Sequence, residues 1–326
     1  MIIFLTAIFC FTITLLIMPF FLSFLKKADL TVKDLNKENK PLLPSSGGLA
    51  VLFSISFTTI TFVYFNVFFL GKENKLLFFF TYLLTIFLIT LIGFIDDVFI
   101  LKSKNSSCGL SNIQKPLLTL VTAVPLMALK HDDTFIFIPF LGSLDIGILY
   151  PLCILPFFIG FPANAVNLLA GLNGLEAGMG IVYMGMLAIY TYVNNIEIGF
   201  FISLITFSAL VVFYFYNKFP AKILPGNSLT YLLGASLASI AVLGNLKTVV
   251  MIILIPFAIE FVLKARSKFK AQSYGYYDNG KVRSLHYQNI YSLIHIFTRT
   301  GHFTEKQIVL IFIAIELFFS SLIWFV

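Results

Sequence analysis

Residues 76–97 read LLFFFTYLLTIFLITLIGFIDD, an apolar run that ends in two adjacent aspartates. A membrane-spanning helix needs about 20 consecutive apolar residues, and residues 76–95 supply that length without a charge. The carboxylates of Asp96 and Asp97 therefore fall where the bilayer meets water, where they lose hydration and repel each other. A bound divalent cation would relieve both costs, although a solvated helix end explains the pair equally simply. The run predicts a transmembrane helix with a candidate metal site at its end.

The composition of the whole chain indicates many such helices. Of its 326 residues, 59% are hydrophobic and 11% are charged, and the mean hydropathy is +0.96. Soluble domains carry about 25% charged residues, so this chain cannot keep its surface in water. We predict an all-α integral membrane protein with one polytopic domain over residues 1–326. The net charge of +7 does not indicate a nucleic-acid partner, because the basic residues lie in loops between apolar runs.

The apolar runs predict about ten transmembrane helices and their orientation. The runs cover residues 2–25, 46–70, 76–95, 116–129, 148–169, 178–193, 198–216, 228–244, 247–264 and 306–325. Of the Lys and Arg residues, 18 lie in one set of loops and 4 in the other. Because cytoplasmic loops are enriched in basic residues, the first set is predicted to be cytoplasmic. On the other side, the alternating Phe and Ile of residues 130–147 predict a small external hairpin.

The predicted cytoplasmic loops concentrate the polar residues. Gly47 and Gly48 open the second span, where backbone amides favour an anionic ligand, although an ordinary helix start has the same residues. Lys102 and Lys115 follow the aspartates in the next loop. Lys115 stands at the start of the fourth span, where it either anchors the helix at the interface or binds a lipid phosphate.

Two further polar segments follow on the same side. Residues 164–178 read NAVNLLAGLNGLEAG, in which Asn164 and Asn167 share a helix face. Amide side chains within a membrane need partners, and helix packing accounts for Asn164 better than for the whole string. Residues 219–231 read FPAKILPGNSLTY, where Asn227 or Ser228 can cap the next helix. A helix cap does not explain why Lys222 stands so close to Asn227 in the sequence.

Together these segments resemble the polyprenyl-phosphate N-acetylhexosamine-1-phosphate transferase family, glycosyltransferase family 4. The string at residues 164–178 is the most specific element. Residues 34–37, which read DLNK, place the resemblance nearer the dolichyl-phosphate branch, of archaeal type, than the bacterial peptidoglycan branch. Family members transfer a sugar 1-phosphate from a UDP-sugar to a polyprenyl phosphate and release UMP.

The resemblance implies a specific reaction and setting for this chain. The expected reaction is transfer of GlcNAc 1-phosphate from UDP-GlcNAc to dolichyl phosphate, the first membrane step of lipid-linked glycan assembly. The implied cofactor is Mg²⁺, with Mn²⁺ as an alternative. The active site is expected to face the cytoplasm, at the plasma membrane if the organism is prokaryotic. The oligomeric state stays open, and a homodimer is one alternative.

The resemblance also assigns roles to residues. Asp96 and Asp97 match the catalytic acidic pair, and Lys115 matches a basic residue near the acceptor phosphate. Asn167 and Asn227, together with Asp97, are the implied metal ligands. Asn173 lies where the family recognises uridine. The full set of implied substrate-binding residues is Asn36, Lys102, Gly171, Asn173, Gly174, Lys222 and Arg283.

Three features depart from the family pattern. Asn227 stands where the family usually has an aspartate metal ligand, which removes one negative charge. Ser45 stands where the dolichyl branch often has Glu. The last cytoplasmic loop has only the isolated His286, His295 and His302 in place of the His cluster of the bacterial branch.

Other readings of the sequence stay open. The polar segments report on uridine and metal, so another UDP-HexNAc donor or an undecaprenyl phosphate acceptor fits equally well. A transporter would place polar groups at the midplanes of several spans, which here are nearly pure Phe, Leu and Ile. An inactive lipid-binding relative is supported mainly by Asn227. A lipid phosphate is largely ionised near pH 7, since its second pKa is about 6, so a strong base is not required. A carboxylate base and a covalent aspartyl intermediate both stay open, and we favour direct attack because one cytoplasmic site can hold both substrates.

Overall fold

The structure is a computed structural model that describes residues 2–73, 75–102, 109–111, 113–129, 134–138, 142–286 and 289–326, without the side chains of residues 102, 135–138, 142 and 143. Most of these residues are helical. The helices are α1 (Ile2–Lys27), α2 (Gly48–Leu70), α3 (Leu76–Lys102), α4 (Gln114–Val121), α5 (Val124–Leu129), α6 (Leu155–Leu168), α7 (Leu175–Val193), α8 (Glu197–Asn217), α9 (Gly226–Leu243), α10 (Lys247–Ile253), α11 (Ile255–Arg266), α12 (Leu293–Thr298) and α13 (Glu305–Ser321). A π-helical turn at Tyr150–Ile154 precedes α6, and a 3-10 turn at Leu322–Phe325 follows α13.

Within the described residues, seven helices are long and apolar enough to cross a membrane. The bent pair α10 and α11 makes an eighth if it counts as one span. This confirms an all-α integral membrane protein, whereas the count of ten spans stays a prediction. The predicted sixth span, residues 178–193, lies within α7.

Proline explains why two of the predicted spans are broken. The fourth, residues 116–129, is divided into α4 and α5, and Pro125 is the second residue of α5. α10 and α11 meet at an angle of 59°, and Pro256 is the second residue of α11. A proline lacks the N–H that a helix interior requires, and its ring clashes with the carbonyl four residues earlier.

Short antiparallel hairpins connect some of the helices. β1 (Thr31–Lys33) pairs with β2 (Leu42–Pro44) between α1 and α2, and β5 (Gly275–Asp278) pairs with β6 (Lys281–Ser284) before α12. β3 (Phe135–Ile138) pairs with β4 (Gly142–Asp145) within residues 130–147. The position of that hairpin on the outer side of the membrane stays a prediction.

Helix α9 lies at the centre of the bundle, and its residues from Ser228 to Leu243 are all buried. Two glycines let neighbouring helices approach its first turn closely. A Cβ atom on Gly48 of α2 would lie 2.2 Å from the backbone nitrogen of Leu229, and one on Gly93 of α3 would lie 2.5 Å from the carbonyl oxygen of Asn227. These approaches bring the ends of α2 and α3 against the start of α9, where the polar residues meet.

Candidate active site

Asp97 caps the N-terminus of α9. Its Oδ1 accepts a hydrogen bond from the backbone N–H of Asn227 at 2.7 Å. Its Oδ2 accepts hydrogen bonds from the hydroxyl of Ser46 at 2.8 Å and from the backbone N–H of Ser228 at 3.3 Å. The first backbone N–H groups of a helix have no partner within the helix and carry a partial positive charge. The carboxylate of Asp97, which is 5% exposed, therefore has favourable partners on both oxygens.

Asp96 is fully buried beside it and has a different set of partners. Its Oδ1 accepts a hydrogen bond from the backbone N–H of Leu110 at 2.7 Å. Its Oδ2 lies 2.7 Å from Nζ of Lys115 and accepts a second hydrogen bond, from Nδ2 of Asn227, also at 2.7 Å. Lys115 is thus the ionic partner that a buried carboxylate requires.

The backbone around the acidic pair leaves no room for extra atoms. Gly226 has a φ of +67°, and a Cβ atom there would lie 2.4 Å from Oδ2 of Asp97. Ser46 has a φ of +68°, a left-handed conformation that non-glycine residues adopt at a cost. Ser46 is fully buried, and in this conformation its hydroxyl points to Asp97.

Asn167 joins the same cluster through one threonine. The hydroxyl of Thr230 lies 2.9 Å from Oδ1 of Asn167 and 3.1 Å from the carbonyl oxygen of Asn227. Thr230 stands one helical turn after Asn227, so α9 carries both contacts. The structure therefore brings together the predicted catalytic and metal residues Asp96, Asp97, Lys115, Asn167 and Asn227, which we call the acidic-pair cluster.

A second polar cluster surrounds Asn173. Its side chain donates to Oδ2 of Asp34 at 3.0 Å and accepts from the backbone N–H of Ala221 at 3.1 Å. Its backbone N–H donates to Oε1 of Glu305 at 2.6 Å. Lys37 forms ion pairs with both carboxylates, Asp34 at 3.2 Å and Glu305. We call this set the Asn173 cluster. Ala221, in the loop before α9, and Asn227, the second residue of α9, connect it to the acidic-pair cluster.

Three more predicted substrate-binding residues lie around the Asn173 cluster. Asn36 donates to the carbonyl oxygen of Gly171 at 2.7 Å and accepts from the backbone N–H of Gly275 at 3.1 Å. Gly171 and Gly174 have φ values of +117° and +86°, which favour glycine. The N–H of Gly171 donates to Oε1 of Glu176 at 2.9 Å, which fixes the loop between α6 and α7.

A cavity of about 250 Å³ opens beside this cluster. Asn36, Lys37 and Glu305 line one part, and residues of the β5–β6 hairpin line another. The ammonium groups of Lys37 and Lys306 lie 4.7 and 4.9 Å from the ring centroid of Phe219, which also borders the cavity. Lys37 and Lys306 outnumber Glu305 among its charged lining residues, so the cavity favours an anionic ligand.

Comparison with known proteins identifies the family of this chain. Residues 79–245 match the family described as glycosyl transferase family 4. A protein of Sulfolobus acidocaldarius is 35% identical over 324 residues, which are 98% of this chain and 94% of that protein.

The chain belongs to glycosyl transferase family 4.

The relatives of this family 4 chain include proteins with two kinds of name. The Sulfolobus acidocaldarius protein and one of Saccharolobus solfataricus, 33% identical over 90% of this chain and 87% of its own, have the provisional name UDP-N-acetylglucosamine–dolichyl-phosphate N-acetylglucosaminephosphotransferase. A Staphylococcus carnosus protein named phospho-N-acetylmuramoyl-pentapeptide-transferase is 33% identical over 74% of this chain and 77% of its own. The resemblance drawn from the polar segments is confirmed.

Two predicted site residues, Lys222 and Arg283, are not brought into either cluster of this family 4 chain, and a third cannot be placed. The side chain of Lys102 lies outside the described residues. Within the described part, Lys222 has only a backbone hydrogen bond, from its N–H to the carbonyl oxygen of Tyr216 at 2.7 Å. Arg283 is half-exposed on β6 and pairs with Asp278 at 2.5 Å. The roles of these three residues stay predictions.

Two of the three histidines of the last loop lie close together, whereas the sequence predicted three isolated histidines. The rings of His286 and His295 lie 5.1 Å apart. His295 is fully buried, and its ring nitrogens contact the N–H of Tyr291 at 3.2 Å and the carbonyl oxygen of Gln272 at 2.8 Å. Burial lowers the pKa of His295 to about 4, so the ring is neutral near pH 7 and holds the loop in place.

Sequence reasoning did not single out several carboxylates and hydroxyls of the two clusters. Asp34 and Lys37 lie in the DLNK string, from which only Asn36 was taken as a candidate. Glu305 stands at the start of α13, where an acidic residue is normal for helix stability, so nothing local distinguishes it. Ser46 carries no signal beyond its place before two glycines.

Proposed function

We propose that this family 4 chain transfers GlcNAc 1-phosphate from UDP-GlcNAc to a polyprenyl phosphate of the dolichyl type and releases UMP. The observation that carries the proposal is the acidic-pair cluster, in which Lys115 and the N-terminus of α9 meet two buried carboxylates. Similarity over 98% of the chain to the named Sulfolobus acidocaldarius protein supports the donor and the acceptor.

In the proposed reaction an oxygen of the lipid phosphate attacks the phosphorus that carries the sugar. A new P–O bond forms, the bond from that phosphorus to the bridging oxygen breaks, and its electron pair leaves with UMP. The second pKa of a phosphate monoester is about 6, so the lipid phosphate needs no strong base. All oxygens of Asp97 already accept hydrogen bonds, which supports direct attack over a covalent aspartyl intermediate.

The residues of the acidic-pair cluster suit a divalent cation in their chemistry. Carboxylate and amide oxygens are the ligands that Mg²⁺ prefers, and Asp97, Asn167 and Asn227 are the residues that would hold Mg²⁺ or Mn²⁺. When bound, such a cation neutralises part of the diphosphate charge. Lys115 supplies a further positive charge next to Asp96, suited to hold the acceptor phosphate in line.

The setting of the reaction is also part of the proposal. We propose ten crossings of the membrane, which is the plasma membrane if the organism is prokaryotic. Both clusters would lie at the cytoplasmic side and the β3–β4 hairpin outside, because the basic residues concentrate in one set of loops. Asn36, Gly171, Asn173 and Gly174 would bind the uridine end of the donor. Arg283, Lys102 and Lys222 remain proposed contacts of the sugar and diphosphate, and the chain would act as a monomer or homodimer.

Incubation of the purified protein with radiolabelled UDP-GlcNAc, dolichyl phosphate and Mg²⁺ tests the proposal. We expect a diphosphate-linked GlcNAc lipid and an equal amount of UMP. Asp97→Ala should abolish both products, and Glu197→Ala, at the opposite end of the helices, should keep them. Absence of transfer from every UDP-HexNAc offered, with UDP-sugar binding retained, would favour an inactive lipid-binding relative.

A second candidate keeps the chemistry and changes the substrates. The Staphylococcus carnosus relative is 33% identical over 74% of the chain, and its name places it with transfer of a phosphorylated muramoyl peptide. The same assay with a panel of UDP-sugars and with undecaprenyl phosphate separates the two candidates. Faster UMP release with undecaprenyl phosphate than with dolichyl phosphate would favour the second.

A further inference from the structure

Each oxygen of the two carboxylates in the acidic-pair cluster already contacts at least one donor of the protein itself. The four oxygens of Asp96 and Asp97 receive contacts from six donors. Three are backbone N–H groups, and the others are the hydroxyl of Ser46, the ammonium group of Lys115 and the side-chain amide of Asn227. A free cation that binds these oxygens competes with donors at distances of 2.7 to 3.3 Å.

Asn227 is the residue that makes this arrangement possible. Its Nδ2 donates to Oδ2 of Asp96 at 2.7 Å, a contact that an aspartate at this position would replace with repulsion between two carboxylates. With Asn227, two carboxylates and one ammonium group leave a single excess negative charge. With an aspartate there would be two, and the attraction for a divalent cation would rise accordingly.

We propose that Asn227 and Lys115 keep the acidic pair closed to a free divalent cation, and that the cation binds only together with a diphosphate. This inference rests on the proposed function, because it concerns the donor site. A diphosphate supplies oxygen ligands of its own, and Mg²⁺ is commonly held by one or two carboxylates plus substrate phosphates.

Two side chains are placed to open the site when a diphosphate arrives. The side chain of Lys115 is 23% exposed, whereas Asp96 is fully buried, so the ammonium group can move to a phosphate while Asp96 stays fixed. Rotation of the Asn227 amide about its last side-chain bond exchanges Nδ2 for Oδ1 and turns a hydrogen-bond donor into an oxygen ligand. Both movements remove a donor from the same atom, Oδ2 of Asp96.

Equilibrium dialysis of the detergent-solubilised protein against Mn²⁺ tests the inference without turnover. The wild type is compared with Asn227→Asp, with and without UDP, which carries the diphosphate but no transferable sugar. Asn66→Asp is the matched control, because it adds a carboxylate at the other end of α2, where Asn66 donates only to the carbonyl oxygen of Phe62.

We expect the wild type and Asn66→Asp to bind Mn²⁺ alone at least tenfold more weakly than Asn227→Asp. We expect UDP to tighten Mn²⁺ binding to the wild type at least tenfold. Equal Mn²⁺ affinity of wild type and Asn227→Asp, or no effect of UDP on the wild type, overturns the inference. If Asn227→Asp does not fold, the effect of UDP on the wild type decides the matter.

The assay of UMP release on the same preparation keeps the two proposals distinguishable. Transfer by a protein that binds Mn²⁺ tightly before UDP overturns this inference and leaves the proposed function intact. Lack of transfer from any UDP-sugar contradicts the proposed function, whatever the order in which Mn²⁺ and UDP bind.

Discussion

Glu305 accepts a hydrogen bond from the backbone N–H of Asn173 at 2.6 Å, although the two residues are 132 positions apart in the sequence. Glu305 is the first residue of α13, and Asn173 lies in the loop between α6 and α7. The same carboxylate pairs with Lys37. One side chain therefore ties the last helix to the loop that we expect to bind uridine.

Replacement of Glu305 by Ala should weaken donor binding more than it slows turnover. The substitution leaves the buried N–H of Asn173 without its acceptor and removes one of the two carboxylates of Lys37, which costs about 1–3 kcal/mol. We expect KM for UDP-GlcNAc to rise about tenfold or more with kcat within about threefold of wild type. Glu197→Ala, which removes an exposed ion pair with Lys75, is the control and should leave both constants unchanged.

The hydroxyl of Ser46 leads to a prediction about the acidic pair. Ser46→Ala removes the hydrogen bond to Oδ2 of Asp97 and keeps the left-handed backbone, whereas Ser46→Gly removes the same bond and relieves the strain. We expect both variants to lower kcat by about the same factor. The free energy of unfolding should be higher in Ser46→Gly than in Ser46→Ala by up to about 1 kcal/mol. Thermal unfolding and UMP release together measure this. Full activity in either variant would show that the hydroxyl does not orient Asp97.

Lys115 should be far more important than an exposed lysine in an ion pair. Its removal leaves the fully buried carboxylate of Asp96 without a counter-charge, and breaking such a pair typically costs about 3–5 kcal/mol. We expect Lys115→Ala to lower the unfolding temperature and to reduce UMP release about 100-fold or more. Lys75→Ala breaks an exposed pair with Glu197 and should change neither property. Wild-type turnover of Lys115→Ala would remove Lys115 from the site.

The helices were largely predictable because long apolar runs have few alternatives in a membrane protein. The predicted spans 46–70 and 306–325 correspond to α2 and to α13 with its terminal turn. The break between α4 and α5 was missed because hydropathy measures composition along the run. Pro125, which interrupts the helix, is itself apolar, so the apolar run continues through it.

The site was predictable only where a family motif supplied the pairing. Asp96, Asp97 and Asn227 were expected together because the resemblance implied it. In the structure, nitrogen atoms of Asn227 lie 2.7 Å from a carboxylate oxygen of each aspartate. Glu305 was missed because its partner is distant in sequence and its own surroundings look like a helix start. The donor role of the Asn227 amide was also missed, since the sequence indicates the residue and not which end of its amide faces Asp96.

The buried His295 predicts how the last loop responds to acid. Burial lowers the pKa of His295 to about 4, from about 6.5 in the unfolded chain, so the unfolded state binds a proton that the folded state rejects. The stability from this residue is complete above pH 6.5 and is lost as the pH falls towards 4. We expect the unfolding temperature of the wild type to drop between pH 7 and pH 4.5, and the drop to be smaller in His295→Gln. His302→Gln, which changes an exposed histidine, should keep the wild-type drop, and equal drops in all three proteins would contradict the prediction.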